Sequence, residues 1–450
     1  MVDHRGITLL DEVPKTGTPN AFNRVWGPPG EDGWPERFRG GSALLVAILV
    51  TISALPIIVL SCAGVTPPQT GPKEELTLAT QPKVRVVLAI NTRGGAALPI
   101  KVIGGYSILD ATTMTTLVRG PRLLQSPVQA LSGGIVVTAA DRQGVRRPMR
   151  LARIRIAPAR SGTLYVGGRQ YRGVLDVIYT QEGRMTLVNE LDLEEYVGGV
   201  VAAEMFYWWP NEALRAQAVV ARTYTLALIT ENENLQPRPE WDLEASYLTA
   251  QVYQGMGGEH AKGLEAALAT RGVVLVHNAR VFRAYYSSCC GGHTEACGVV
   301  WNDYKTIPPL AGKACDYCKG TKWFDWTDII KTSEIEKAMK RAEKDVGELR
   351  EIEFEDTNGD GHIDRVTVKG SRQTFTMLGN DFRLIVGSTK LKSMDFKCRR
   401  YNTYYEFTGH GWGHGVGMCQ YGAKGMAEVL LTYDRILGYY YPETELWKVY

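Results

Sequence analysis

The chain has 450 residues, with 51 Lys plus Arg against 48 Asp plus Glu for a net charge of +3, and it is 44% hydrophobic and 22% charged. That balance excludes a disordered or fibrous protein, and the near-neutral charge gives no reason to expect nucleic acid as a partner. At roughly 100–200 residues per domain the length allows two or three domains.

Residues 1–40 read as a polar tail. From Gly40 to Pro72 there is no charged residue, and Ala43 to Leu60 reads ALLVAILVTISALPIIVL. A run of about 18 apolar residues is just long enough to cross a bilayer as a helix. Arg37 and Arg39 precede it, which predicts a cytoplasmic tail and an exported main body. Residues 41–64 are therefore expected to be either a retained single-span anchor or a lipoprotein signal. The second reading rests on Val59-Leu60-Ser61-Cys62, which resembles a lipoprotein cleavage box with Cys62 as the lipidated thiol. Both place the protein at a bacterial cell envelope, attached to the membrane. Residues 65–83 read as a Pro- and Thr-containing linker.

Period-two runs follow. Val84–Ile90, Leu164–Val166 and Val174–Tyr179 are strand-like, so residues 84–185 are expected to form a β-rich module. Between Arg119 and Arg172 it carries eleven arginines, with Asp141 as the only acid. Such a run is either a solvated face or a basic groove for an anionic polymer, which outside the cytoplasm means cell-wall carboxylate or lipid phosphate.

The period then changes to 3.6. Leu193–Met205 and Glu212–Ile229 read as two helices, with Asn211 placed as the N-cap of the second. Glu204 ends the first helix, immediately before Met205-Phe206-Tyr207-Trp208-Trp209. An acid beside an aromatic patch is the setting that raises a carboxyl pKa and keeps it protonated for general-acid work. Spacing alone equally describes a surface glutamate. The polar stretch 231–240 reads as a loop that can border a cleft.

Further on, Cys289, Cys290, Cys297, Cys315 and Cys318 fall within thirty residues, with His293 among them. Cys290-x2-His293 and Cys315-x2-Cys318 supply four soft ligands in two short-spaced pairs, which suits a structural tetrahedral Zn²⁺. Disulfides or free buried thiols satisfy the same spacing. Residues 323–400 read as a β-rich extension entered through a short amphipathic helix at 333–344. Within it, Asp356 to Asp364 (DTNGDGHID) has the oxygen ligands of a calcium loop, but Thr367 stands where the closing Glu belongs. The simpler reading is a hairpin turn joining Ile352–Phe354 to Val366–Val368. Finally, Gly409-His410-Gly411-Trp412-Gly413-His414-Gly415-Val416-Gly417 is a dense glycine loop, whose backbone can approach a ligand closely.

Several stretches together resemble the sporulation stage II protein D (SpoIID) family. They are Val188–Val197 (VNELDLEEYV), Val200–Met205 (VVAAEM), Ala213–Tyr224 (ALRAQAVVARTY), Ala284–Ser288, Gly291–Glu295, Gly413–Ala423 (GHGVGMCQYGA) and Ile436–Pro442. The resemblance spans about residues 160–450, in order. It implies an α+β fold: a β-rich N-terminal module, then a mixed α/β catalytic core over 186–450 with a β-rich extension, behind the membrane segment. It also implies peptidoglycan as substrate and lytic transglycosylase activity, with Glu204 at the position of the catalytic acid. By the same resemblance Arg222, Tyr224 and Gln251 orient substrate or support Glu204, and His414, Gln420 and Tyr421 face the cleft. Some relatives bind zinc near the Cys/His stretch. One departure stands out: where many relatives have Pro after Glu-Met, this chain has Phe206 and three further aromatics. The rival expectation is a noncatalytic wall-binding protein that recruits or stimulates an amidase, since amidase enhancers share the domain.

Overall fold

The computed structural model describes residues 77–90, 97–246, 250–301 and 305–450. The expected tail, the membrane segment with Cys62 and most of the linker lie outside the described residues. No described helix is long and apolar enough to cross a membrane.

The protein is mixed α and β and rich in strands. Twelve strands come first: β1 (Lys83–Ile90), β2 (Leu98–Ile103), β3 (Tyr106–Asp110), β4 (Thr115–Gly120), β5 (Leu123–Leu131), β6 (Gly134–Ala140), β7 (Arg146–Leu151), β8 (Arg153–Pro158), β9 (Thr163–Val166), β10 (Arg169–Tyr171), β11 (Val174–Tyr179) and β12 (Met185–Asp192). They form two sheets, one ordered β1-β12-β11-β8-β3-β4 and the other β10-β9-β2-β5-β6-β7. A short strand at Leu243–Glu244 extends the first sheet beyond β1 in parallel. Alternation sets the inner faces: Val84 and Val86 of β1, Ile100 and Val102 of β2, and Ile154 and Ile156 of β8 all point into one core.

β12 continues this sheet and runs directly into the helical part, so the β-rich module and the helices share one hydrophobic core. Its residues are buried on both faces, Asn189 included. The Asn189 amide satisfies itself on the carbonyls of Arg172 and Val174 and accepts from the Tyr253 hydroxyl.

The two expected helices form as α1 (Leu193–Glu204) and α2 (Asn211–Glu233). The expected N-cap needs correction. Pro210 is the cap and Asn211 the first helical residue, with no side-chain capping bond. Proline caps here because its fixed φ suits the turn that precedes the helix. Next comes α3 (Ala261–Ala269), which crosses α1 at glycines. A Cβ on Gly198 would lie 2.6 Å from Leu264 Cδ2, and one on Gly263 would lie 2.7 Å from the Gly198 carbonyl. Only the missing side chains let the two backbones approach this closely.

The remaining helices are α4 (Cys297–Val300), α5 (Thr332–Arg341), α6 (Gly379–Val386), α7 (Gln420–Glu428) and α8 (Tyr433–Tyr440). Residues 326–407 gather a second core around Phe407, Phe382, Val366 and Met339, with α5 at the place of the expected amphipathic helix. The expected hairpin is present, with Ile352 opposite Val368 and Phe354 opposite Val366.

The arginine run does not form one continuous basic face. Arg155 pairs with Asp176 at 2.7 Å and Glu190 at 2.9 Å, Arg153 with Glu240 at 2.7 Å, and Arg172 with Glu259 at 2.8 Å. These acids lie outside the run in sequence; the sheet brings Asp176 and Glu190 opposite, and Glu240 and Glu259 come from loops that pack against it. Arg142, Arg146, Arg147 and Arg150 remain exposed on and before β7, the edge strand of the second sheet. The expected loop 231–240 begins only after Glu233, where α2 ends, and Glu240 at its far end is thereby engaged with β8.

Candidate functional site

Glu204 is the last residue of α1, and the chain turns there through Met205, which is extended. The Val252 N–H donates to Glu204 Oε1 at 3.0 Å. Burial pushes the Glu204 carboxyl above its ordinary value, opposed by the Val252 N–H and by the Gln420 and Tyr286 side chains, which face it as donors. Tyr196 and Tyr286 are held far above the usual phenol range, first by burial and then by the neighbouring Tyr224 and Glu204. Their hydroxyls therefore stay protonated. The result is one partly buried carboxyl anchored by the Val252 N–H with neutral side chains nearby, and without a paired cation among the described residues.

The residues after Glu204 divide in two. Trp209 turns inward, its ring 4.9 Å from that of Tyr421. Tyr207 and Trp208 remain 48% and 51% exposed, three and four residues after Glu204. Phe206 stacks on Trp208 at 4.4 Å, and Tyr207 stacks on His260 at 4.1 Å. The aromatic segment thus both packs the core and presents two rings outward.

The other expected site residues are distributed unevenly. Gln420 opens α7, is buried, and donates to Gln217 Oε1 at 3.3 Å while facing Glu204. Tyr421 lies one residue on, its phenol pushed up to about 12 by burial. Tyr224 packs its ring 5.6 Å from that of Tyr285 and neighbours Tyr196 and Tyr286. His414 accepts from the Val416 N–H at 3.1 Å through Nδ1, so its proton resides on Nε2. Burial, helped by the charge of Arg383, pushes His414 down to about 3 and keeps it neutral. His410, by contrast, lies on the surface with Nδ1 2.7 Å from Asp325.

Arg222 and Gln251, expected to orient substrate or support Glu204, are both internal. Arg222 is fully buried and forms a bidentate pair with Glu194 at 2.6 and 2.9 Å, with further donation to the carbonyls of Ala267 and Val273. Gln251 is equally buried and accepts from the Tyr196 and Thr225 hydroxyls at 3.0 Å each. Its place immediately before Val252 makes it a positioning residue for the amide that binds Glu204.

The cysteines converge in a different set from the one the spacing suggests. Cys290, Cys315, Cys318 and Cys419 bring four buried sulfurs within 4.8 Å of one another. His293 is not in this group; Cys419 takes the fourth position. Cys290 and Cys318 sulfurs are 3.6 Å apart, close to the ~3.8 Å edge of a tetrahedral thiolate site with Zn–S near 2.3 Å. The N–H groups of Cys290 and Gly422 donate to Cys419 Sγ at 3.3 and 3.2 Å, and Tyr440 Oη lies 3.1 Å from Cys315 Sγ. Such donors favour thiolates and match the outer shell of a structural metal. All seven described cysteines are free thiols, Cys289 and Cys297 included. Sequence spacing could not reveal Cys419, which lies about a hundred residues beyond Cys318. The neighbouring calcium-like loop turns two of its carboxylates onto itself: Asp356 accepts from the Gly359 and Gly361 amides, and Asp364 from that of Thr357.

Arg383 carries no motif that marks it in the sequence. It belongs to α6 in the region of the second core, where that region meets the glycine loop; the Gly413 N–H also donates to the Lys392 carbonyl at 2.9 Å.

Comparison with known proteins follows the same outline. Residues 181–277 match the family described as Stage II sporulation protein. Residues 310–417 match a family described as a domain of unknown function (DUF8618). Stage II sporulation protein D of Bacillus subtilis is 31% identical over 270 residues, 58% of this chain and 75% of that protein. An uncharacterized protein of Brachyspira hyodysenteriae is 33% identical over 276 residues, covering 61% and 72% respectively. The amidase enhancer of Bacillus subtilis is 30% identical over 291 residues, 55% of this chain and 40% of that protein.

Proposed function

From the premise that this chain belongs to the stage II sporulation protein D family, we propose that it is a peptidoglycan lytic transglycosylase with Glu204 as its general acid. The observation that carries the reading is the carboxyl raised by burial, anchored by Val252 N–H and set among protonated donors. Protonated Glu204 gives its proton to the oxygen joining N-acetylmuramic acid to N-acetylglucosamine. As that C1–O bond breaks, positive charge develops on the muramic ring. The 6-hydroxyl of the same sugar attacks C1 and returns its proton to the Glu204 carboxylate, leaving a 1,6-anhydro end. Because the nucleophile is intramolecular, a second carboxylate is not required, in contrast to two-carboxylate hydrolysis. Tyr207 and Trp208 offer exposed rings for stacking a sugar next to the acid. His414, neutral and held by Val416, lines the same region.

The site works outside the cytoplasm, with the chain held at the envelope by residues 41–64 as a single span or through Cys62. The four-cysteine cluster holds a structural Zn²⁺; four protein ligands leave it no open position for a catalytic water. A weak Ca²⁺ site at Asp356–Asp364 is the lesser proposal for that loop.

Digestion of purified sacculi by wild type and Glu204→Gln tests the reading. Wild type should release anhydro-muropeptides, and the variant should lose about 10²–10⁴-fold in rate. No release by wild type from either intact or peptide-stripped glycan would remove the catalytic claim. The likeness to the amidase enhancer supports a second reading, in which the chain binds peptidoglycan and stimulates a cell-wall amidase. On that reading Glu204→Gln leaves the stimulation intact.

A further inference from the structure

His293, displaced from the sulfur cluster, belongs to another group. His293, Asp360 and His362 each offer a ligand atom, and these atoms lie within 4.8 Å of one another. Glu295 stands beside them, with Oε2 3.4 Å from His362 Nδ1. Two of these residues are almost wholly buried: His362 is 7% exposed and Glu295 2%. Yet His362 Nδ1, Glu295 Oε2 and His293 Nδ1 have no hydrogen-bond partner among the described residues. Orphaned buried polar atoms are costly, and three of them on residues gathered this closely call for something between them.

We propose that His293, Asp360 and His362, with Glu295 as the adjoining carboxylate, bind a second metal: a divalent first-row transition ion held by mixed nitrogen and oxygen donors. Two imidazoles with one or two carboxylates suit Zn²⁺, Co²⁺ or Mn²⁺, whereas Ca²⁺ and Mg²⁺ prefer all-oxygen shells. The ligands come from two parts of the chain. His293 lies on a short strand (His293–Thr294) of the family core and Glu295 follows it, while Asp360 and His362 come from the turn of the 349–370 hairpin. The ion therefore ties the hairpin to the core. It does so next to the glycine loop, since the Glu295 N–H donates to the Gly415 carbonyl at 2.9 Å and a Cβ on Gly415 would lie 3.8 Å from His362 Nε2. Gly415 follows His414, so the same ion steadies the backbone that presents His414.

Cobalt separates this site from the sulfur cluster, because only thiolate ligands give an intense charge-transfer band in the near ultraviolet. The full-length chain, freed of metal, is titrated with Co²⁺ while bound metal is counted. The expected result is about one equivalent that carries no thiolate band, over and above whatever the sulfur cluster takes. Asp360→Asn and His362→Ala should each lose that equivalent while keeping the thiolate band of the wild type, which also reports an intact sulfur cluster. Binding confined to the thiolate-banded equivalent in the wild type would overturn the proposal. So would a variant that still bound the non-thiolate equivalent as tightly as wild type. Absence of the thiolate band alone would count against zinc in the cysteine cluster and leave this site supported.

Discussion

At the residue scale the decisive group is Glu204. Its pKa in the folded chain is raised, chiefly by burial. A group raised in this way contributes stability that is fully present below its unfolded pKa and is lost as pH rises through the folded one. Glu204→Gln, which cannot ionise, should therefore be more stable than wild type at neutral pH, with the gap closing in acid. Thermal unfolding of both proteins at neutral and acid pH checks this; an equal gap throughout would show that the carboxyl is not held against ionisation. Sequence made the residue visible by its place at a helix end before four aromatics. It could not tell which rings face outward, because Trp209 and Trp208 are adjacent in the chain and only the turn at Met205–Pro210 sends one inward.

At the scale of elements, the family signature on α2 is mostly framework. Arg222 ties α2 to α1 through Glu194, which also accepts from the Gly272 N–H and the Tyr450 hydroxyl. Removing one partner of a buried pair leaves an uncompensated charge, at a cost of about 3–5 kcal/mol. Arg222→Met should show that loss in urea unfolding, and adding Glu194→Gln should restore much of it. A loss under ~1 kcal/mol would contradict the buried pairing. α7 couples two sites in the same way: Cys419 caps its N-terminus by accepting from Gly422, and Gln420 begins the helix facing Glu204. If the cysteine cluster holds zinc and the chain cleaves glycan as proposed, chelation of the metal, or Cys419→Ser, should thus lower that cleavage although the metal has no open position for chemistry. Zinc content and anhydro-muropeptide release measured on the same samples test it, and undiminished cleavage by zinc-free protein would break the link. Helices α1 and α2 were legible because their apolar period is long and strong. The cap was not, since Pro210 and Asn211 are both good helix-start residues and only backbone geometry chooses between them.

At the scale of the whole molecule, charge is arranged by the sheets. Four of the eleven arginines in the run are paired with acids, three of them with residues beyond its ends. Arg119, Arg122, Arg160 and Arg169 are exposed elsewhere, and the densest exposed group is Arg142, Arg146, Arg147 and Arg150 near β7, the group best placed to attract an anionic polymer. Reversing Arg142 and Arg146 to Glu should reduce co-sedimentation with sacculi several-fold at low ionic strength, and the difference should fade as salt screens it. Binding that is equally salt-sensitive in the variant would assign the attraction elsewhere. The sequence by itself determined the family, the helix that carries Glu204, the hairpin joining 352–354 to 366–368 and the clustering of soft ligands. Each of these is written in local spacing or in a contiguous motif. Tertiary structure alone decided that Cys419 joins Cys290, Cys315 and Cys318, that His293 joins Asp360 and His362, that Arg222 and Gln251 are internal, and that the arginine run is partly neutralised. In every one of those cases the partner lies on a segment far along the chain, and packing of a shared core, which spacing does not encode, brings the two together.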